Sequence, residues 1–225
     1  MSVLINITSD FTCPWCYIGT MRLLRVIDSL STTCNITLRW SPYEMNPAIT
    51  LAGEDRKIRR SLIFGSWRRA QELDASSLAA GLPDGVVFNY EKILRIPNTF
   101  SAHRLSWLAC KEGRQREIVS SLFRLYFVGG EDIGQSSVLA TIAESAGIGR
   151  KRALDFLASD VGSNDVRREE QDSGVQGIRG IPYFDISGVT FSGAQSLETL
   201  RHAVITANDM SGIYLTPGKS GGYIV

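Results

Sequence analysis

Cys13 and Cys16 stand three residues apart near the start of the chain, separated by Pro14 and Trp15 in the stretch SDFTCPWCYIG, 9–19. Two thiols at that spacing can hold a metal, staple a loop or exchange electrons. Proline lacks an amide hydrogen and has the φ of a first helical turn, so Pro14 marks the start of a helix. Cys13 then lies at the helix mouth, beside unpaired N–H groups and the positive end of the helix dipole. Both favour a thiolate, and a cysteine so placed can ionise well below the free value of about 8.5.

Cys16 follows one turn later on the same face. Helical positions three apart hold their Cβ atoms roughly 5–6 Å apart, whereas a disulfide wants about 3.5–4.5 Å. The bond closes only if the first turn tightens, which describes a reversible redox couple better than a brace. Cys13 is expected to be the exposed attacking thiol and Cys16 the resolving one. A structural zinc site usually needs four ligands, and Cys34, Cys110, His103 and His202 form no second pair, so no metal is expected. Two inert core cysteines would not explain a proline that fixes the first of them at a helix mouth.

The elements around the pair read as follows. Residues 3–8 form a short buried strand, apolar residues from Pro14 to about Leu30 recur with helical period, and residues 35–40 alternate as a second strand. From about 54 to 176 the pattern is almost wholly helical. Within that block, Gly81 is a plausible C′ residue, 86–90 is read as extended, and Asn98 or Thr99 caps a helix that stops at Gly113. Two short apolar runs joined by Ser187-Gly188 then signal a hairpin, and Leu197, Leu200 and Val204 share one face of a last helix. The helical block cannot continue the sheet, so the flanks must join in space. The expected fold is α/β, with a discontinuous domain of 1–50 and 164–210, a helical insertion of 51–163, and a Gly-rich tail of 211–225 lying loose or as an arm.

Composition narrows the function classes. The 225 residues are 44% hydrophobic and 21% charged, with a net charge of +1. That balance is ordinary for a soluble enzyme and gives no reason to expect nucleic acid or an acidic membrane as partner. The N-terminus has no basic n-region, and no apolar run approaches the ~18 residues that span a bilayer. The chain is therefore read as cytoplasmic, where thiols are kept reduced and a CxxC pair is catalytic or metal-binding.

The motifs DFTCPWCYIG, SPYEMNP, PNTFSAHRL, GIRGIPYF and SGAQSLETL, in that order over about 3–205, resemble the DsbA-like thioredoxin-fold superfamily, and within it the FrnE-like cytoplasmic disulfide oxidoreductases. The resemblance implies a thioredoxin fold with a large all-helical insertion. It also implies a cis Ile181-Pro182 bond, with Pro182 packed on the cysteine pair and the Ile181 backbone pairing with an extended substrate. Tyr183 stands where many relatives carry threonine, the Pro-Trp dipeptide differs from the best-known oxidase and reductase pairs, and no further cysteine pair occurs near the C-terminus.

Other residues have two readings each. Asn98 either caps its helix or lines the substrate groove, and His103 is read as a solvated helix residue. Trp15 either packs on the insertion or contacts substrate. Gly19 inside a helix points to close backbone packing. Cys34 and Cys110 read as small core residues. Lys57, Arg59, Arg60, Arg68 and Arg69 form a basic run that is a solvated face or an anion site, for example for glutathione.

The resulting expectation is a thiol–disulfide oxidoreductase acting on protein or small-molecule thiols and disulfides. It holds no bound cofactor, and glutathione serves as exchange partner; the resemblance suggests a homodimer. The alternatives are a glutathione-dependent isomerase or transferase, of the 2-hydroxychromene-2-carboxylate isomerase or kappa-class type, or a non-enzymatic accessory of a biosynthetic pathway. Relatives of the isomerase type typically lack the resolving cysteine.

Overall fold

A computed structural model describes residues 2–213. Its main sheet has strand order β2-β1-β5-β6, drawn from both ends of the chain. β1 (Val3–Ser9) buries Val3, Ile5 and Ile7 completely while Leu4 faces outward, the period-two pattern of a strand with one face on the core. It pairs in parallel with β2 (Ile36–Pro42), matching Val3 to Ile36 and Ile7 to Trp40. The connection is α1 (Pro14–Leu30), whose Ile18, Leu23, Val26, Ile27 and Leu30 are buried. On its other edge β1 pairs antiparallel with β5 (Tyr183–Ile186), which turns into β6 (Val189–Ser192). Both turn residues have positive φ, 50° at Ser187 and 94° at Gly188, as a two-residue hairpin matched to sheet twist requires.

The segment between β2 and β5 carries α2 (Arg56–Phe64), α3 (Trp67–Gly81), α4 (Phe100–Lys111), α5 (Gln115–Arg124), α6 (Ser136–Ser145), α7 (Arg150–Ala158) and α8 (Ser163–Val175). It is not all-helical: β3 (Glu54–Asp55) pairs with β4 (Arg95–Ile96) where the chain enters α2. Residues 86–89, read as extended, are irregular and lead into a 3₁₀ turn at Tyr90–Lys92. α3 ends at Gly81 as expected but not in a left-handed cap, since its φ is −84° and the chain runs on through a 3₁₀ turn to the left-handed Gly85. Gly81 is needed for close approach instead, since a Cβ there would meet Phe88 Cε2 at 3.0 Å. The last helix, α9 (Leu197–Ile213), packs on α1 and covers residues 211–213 of the expected tail; 214–225 lie outside the described residues.

Two contacts fix how α1 is seated. Tyr17, one residue past Cys16, lies among insertion rings, with centroids 5.5 Å from Phe123, 5.4 Å from Phe127 and 5.4 Å from Phe88. The insertion thus holds the opening turn of α1 by burial of large rings, each such pair contributing about 0.5–1.5 kcal/mol beyond area. From the opposite side, β5 approaches Gly19. A Cβ built there would lie 3.0 Å from both Pro182 Cγ and Phe184 Cζ. Gly19→Ala is therefore expected to destabilise the fold by about 1 kcal/mol net, because overpacking costs ~1–3 kcal/mol against a propensity gain of ~1 kcal/mol. Urea unfolding checks this, and a variant more stable than wild type would contradict it.

Candidate functional site

Cys13 is the N-cap of α1, with φ −88° and ψ 115°, and its sulfur accepts a hydrogen bond from the Cys16 amide at 3.4 Å. A cap sulfur in that position faces the unpaired N–H groups of the first turn. Both cysteines are free thiols and both are buried, Cys13 at 4% exposure and Cys16 at 0%. The exposed attacking thiol expected from the sequence is thus nearly covered. Burial first, and then the neighbouring Cys13 sulfur, push the Cys16 thiol well above its ordinary value; the Asp10 backbone works against this and the Asp10 carboxylate adds to it. The pair is therefore asymmetric, with a protonated thiol underneath a sulfur at a helix mouth.

Asp10, three residues before Cys13, is a buried carboxyl beside the pair that sequence reasoning passed over. It is 1% exposed, accepting from the Met45 amide at 2.7 Å and the Thr12 amide at 3.2 Å. Burial raises it from 3.8 to about 6, with the backbone bonds to Met45 and Thr12 opposing. The available signal was an acidic residue closing a strand that reads as buried. His103 is buried as well, not solvated, because α4 turns it onto Phe11, ring centroids 4.6 Å apart. Burial pulls it from 6.5 down to about 3, and its Nε2 lies 3.9 Å from Asp10 Oδ1 without a hydrogen-bond partner.

The other candidate residues divide. The Ile181–Pro182 peptide is cis, Pro182 is buried against α1, and Ile181 and Tyr183 are half-buried beside it. Trp15 keeps 41% of its surface exposed. Asn98 is engaged inside the fold: its amide nitrogen donates to Ile49 O at 2.9 Å and its Oδ1 accepts from Phe100 N at 3.0 Å. Asn98 therefore makes an Asx turn ahead of α4 and does not cap it; the N-cap is Thr99, which makes no side-chain cap bond but turns its hydroxyl to Asp10. Cys34 is buried, whereas Cys110 is exposed because it falls a step past the buried Ala102, Leu105, Ala109 face of α4. Arg68 and Arg69 are exposed and bridge to Glu72, while Arg60 turns inward to Asp74. Among the described residues no group of three or more His, Cys, Asp or Glu could hold a metal ion, and no helix is long and apolar enough to cross a membrane.

Comparison with known proteins agrees with this geometry. The family model for the DSBA-like thioredoxin domain matches residues 4–204. The uncharacterized protein YwbO of Bacillus subtilis is 22% identical over 206 residues, covering 91% of this chain and 96% of its own. A probable DsbA oxidoreductase of Streptomyces coelicolor, SCO1869, superposes with TM-score 0.82 at 22% identity over 99% of both chains. The cytosolic disulfide reductase DsbM of Pseudomonas aeruginosa, solved with GSH, gives TM-score 0.64 at 15% identity, covering 94% of this chain and 98% of that one. At these identities the superpositions show a common fold.

Proposed function

The chain belongs to the DSBA-like thioredoxin domain family, and from that premise we propose that it is a thiol–disulfide oxidoreductase working through Cys13 and Cys16. The observation that carries the reading is the asymmetric pair: an N-cap sulfur at the mouth of α1 and a fully buried thiol one turn behind it. Cys13 attacks a disulfide sulfur and forms a mixed disulfide while the partner thiolate leaves. Cys16 then loses its proton, attacks the Cys13 sulfur and releases the second thiolate. We assign that proton to Asp10, whose buried carboxyl is raised to about 6 and acts electrostatically on Cys16. We place the substrate beside Trp15 and the backbone of Ile181, with Pro182 between them and α1; Tyr183 was expected at this groove, but its side chain lines the other face of the sheet with Asn6, Thr8 and Arg39.

Glutathione is the proposed exchange partner and the cytoplasm the proposed compartment, in keeping with DsbM, a cytosolic disulfide reductase solved with GSH. The shared fold alone does not separate this chemistry from glutathione-dependent isomerisation. The retained Cys16, with 0% exposure next to Cys13, does favour exchange, since an isomerase has no step for a resolving thiol. The test is equilibration in glutathione buffers of graded ratio, with maleimide quenching and mass analysis. A single two-thiol transition between about −270 and −120 mV is expected. Two thiols that stay alkylated at every ratio would overturn the reading.

Asp10 adds a second expectation. Asp10→Asn should slow release of glutathione from the Cys13 mixed disulfide about 100-fold, and the rise of that rate with pH near 6 should disappear. Stability gives an independent check. A carboxyl raised from 3.8 to about 6 contributes stability at low pH that is lost as pH climbs through that window. A histidine lowered from 6.5 to about 3 contributes stability at higher pH that is lost as pH falls through its own window. Between about pH 4 and 6 the two slopes, each about 1.4 kcal/mol per pH unit, cancel. On acidification across that range Asp10→Asn should therefore lose about 1.4 kcal/mol per unit more than wild type. Parallel urea curves for the two proteins across that range would refute the buried pair.

A further inference from the structure

Between the opening turn of α1 and the insertion lies a cavity of about 300 Å3. Thr12 and Pro14, the two neighbours of Cys13, form one wall. Ile63, Phe64, Ile93 and Phe127, with the rings of Tyr90 and Tyr126, form most of the remainder. The volume sits at the low end for small-molecule sites and suits a molecule of one or two rings. Nothing in the exchange steps above uses it.

Its charge is unbalanced. Arg56 and Arg60 both line the cavity, and both bond a single carboxylate: Arg56 Nη2 to Asp74 Oδ2 at 2.6 Å, Arg60 Nη2 to Asp74 Oδ1 at 2.7 Å. Two guanidiniums on one anion leave one positive charge unmatched. The nearby Arg59 is different, since Glu54 answers it at 3.5 Å. Arg60 stacks over the Phe64 ring at 5.0 Å, and its Nε is buried with no hydrogen-bond partner. The Tyr90 hydroxyl is already taken by Ser77, at 2.5 Å. A low-dielectric wall of rings with one spare cation is complementary to an apolar body carrying one acid group.

We propose that this cavity binds small molecules with a flat apolar body and one carboxylate, the carboxylate at Arg60 and the opposite end toward Thr12, Pro14 and Cys13. Resting on the proposed function, this makes small disulfides of such acids the substrate class. The Cys13 thiolate attacks one sulfur, forming a mixed disulfide with the bound half and expelling the other half as a thiolate. Cys16 passes its proton to Asp10 and displaces the bound half. The substrate disulfide gains two electrons, the protein dithiol loses them, and a thiol such as glutathione restores the dithiol.

The test separates the cavity from the chemistry. Titration calorimetry compares 2-naphthoate with its uncharged amide on wild type, Cys13→Ser, Arg60→Gln and Ile63→Trp, the last filling the rim. The acid should bind wild type and Cys13→Ser about tenfold tighter than the amide. Arg60→Gln should erase that preference, and Ile63→Trp should weaken both ligands. Exchange with 4,4′-dithiodibenzoate should fall about tenfold more in Arg60→Gln than exchange with the corresponding diamide disulfide. Equal affinity for acid and amide in wild type, or a preference that survives Arg60→Gln, overturns the proposal. So does rapid exchange with insulin alongside none with the aryl disulfide, which would assign the site to proteins. Selective binding of the acid with no exchange toward any disulfide would uphold the cavity and sink the oxidoreductase reading instead.

Discussion

Cys13→Ser is expected to abolish insulin-disulfide reduction and oxidation by glutathione disulfide, a loss on the order of 10³-fold or more. The serine hydroxyl can occupy the same cap position and accept the Cys16 amide hydrogen, so the fold should survive; what disappears is the only sulfur at the helix mouth. Cys16 cannot substitute, because burial and its neighbour hold it as a thiol well above its ordinary value. Cys34 is buried and Cys110 lies exposed on α4, so neither is part of the pair. Turnover by the variant at more than a small fraction of the wild-type rate, with folding confirmed by circular dichroism, would contradict this.

Asp74→Leu is expected to destabilise the protein by about 3–5 kcal/mol, since removing one partner of a buried ion pair strands the other charge. The side chains of Arg56 and Asp74 are only 6% and 9% exposed, and Arg60 shares the same carboxylate. The leucine would leave both guanidiniums facing each other beneath Tyr90 and Trp67, with Arg56 over both rings. Arg60→Gln keeps one guanidinium on the carboxylate and should lose only about 1–2 kcal/mol. Urea midpoints distinguish the two. A loss below about 1 kcal/mol for Asp74→Leu would mean that the three groups are well solvated.

Local chemistry made much of this molecule legible from its residues. Pro14 placed the start of α1, Ser187-Gly188 placed the β5–β6 turn, and the change of period along the chain showed that its two ends share a sheet. Contacts across long sequence separations stayed hidden. His103 looked solvated because its burial depends on Phe11, which reaches it only once α4 has docked on the strand-to-helix corner. The basic run from Lys57 to Arg69 read as a solvated face or an anion site, yet it spans α2 and α3, and Asp74 on α3 draws Arg60, together with Arg56, inward while Arg68 and Arg69 stay outside. Gly81 carried the signature of a helix stop, whereas the close approach of Phe88 and Val86 is what excludes a larger residue there.

The most direct measurement is a trapping experiment on Cys16→Ser. With no thiol left to resolve it, glutathione disulfide should leave one stable adduct, and peptide mapping should find it on Cys13. An adduct confined to the exposed Cys110, or none at all while wild type still turns over, would show that the sulfur at the mouth of α1 is not the one that reacts.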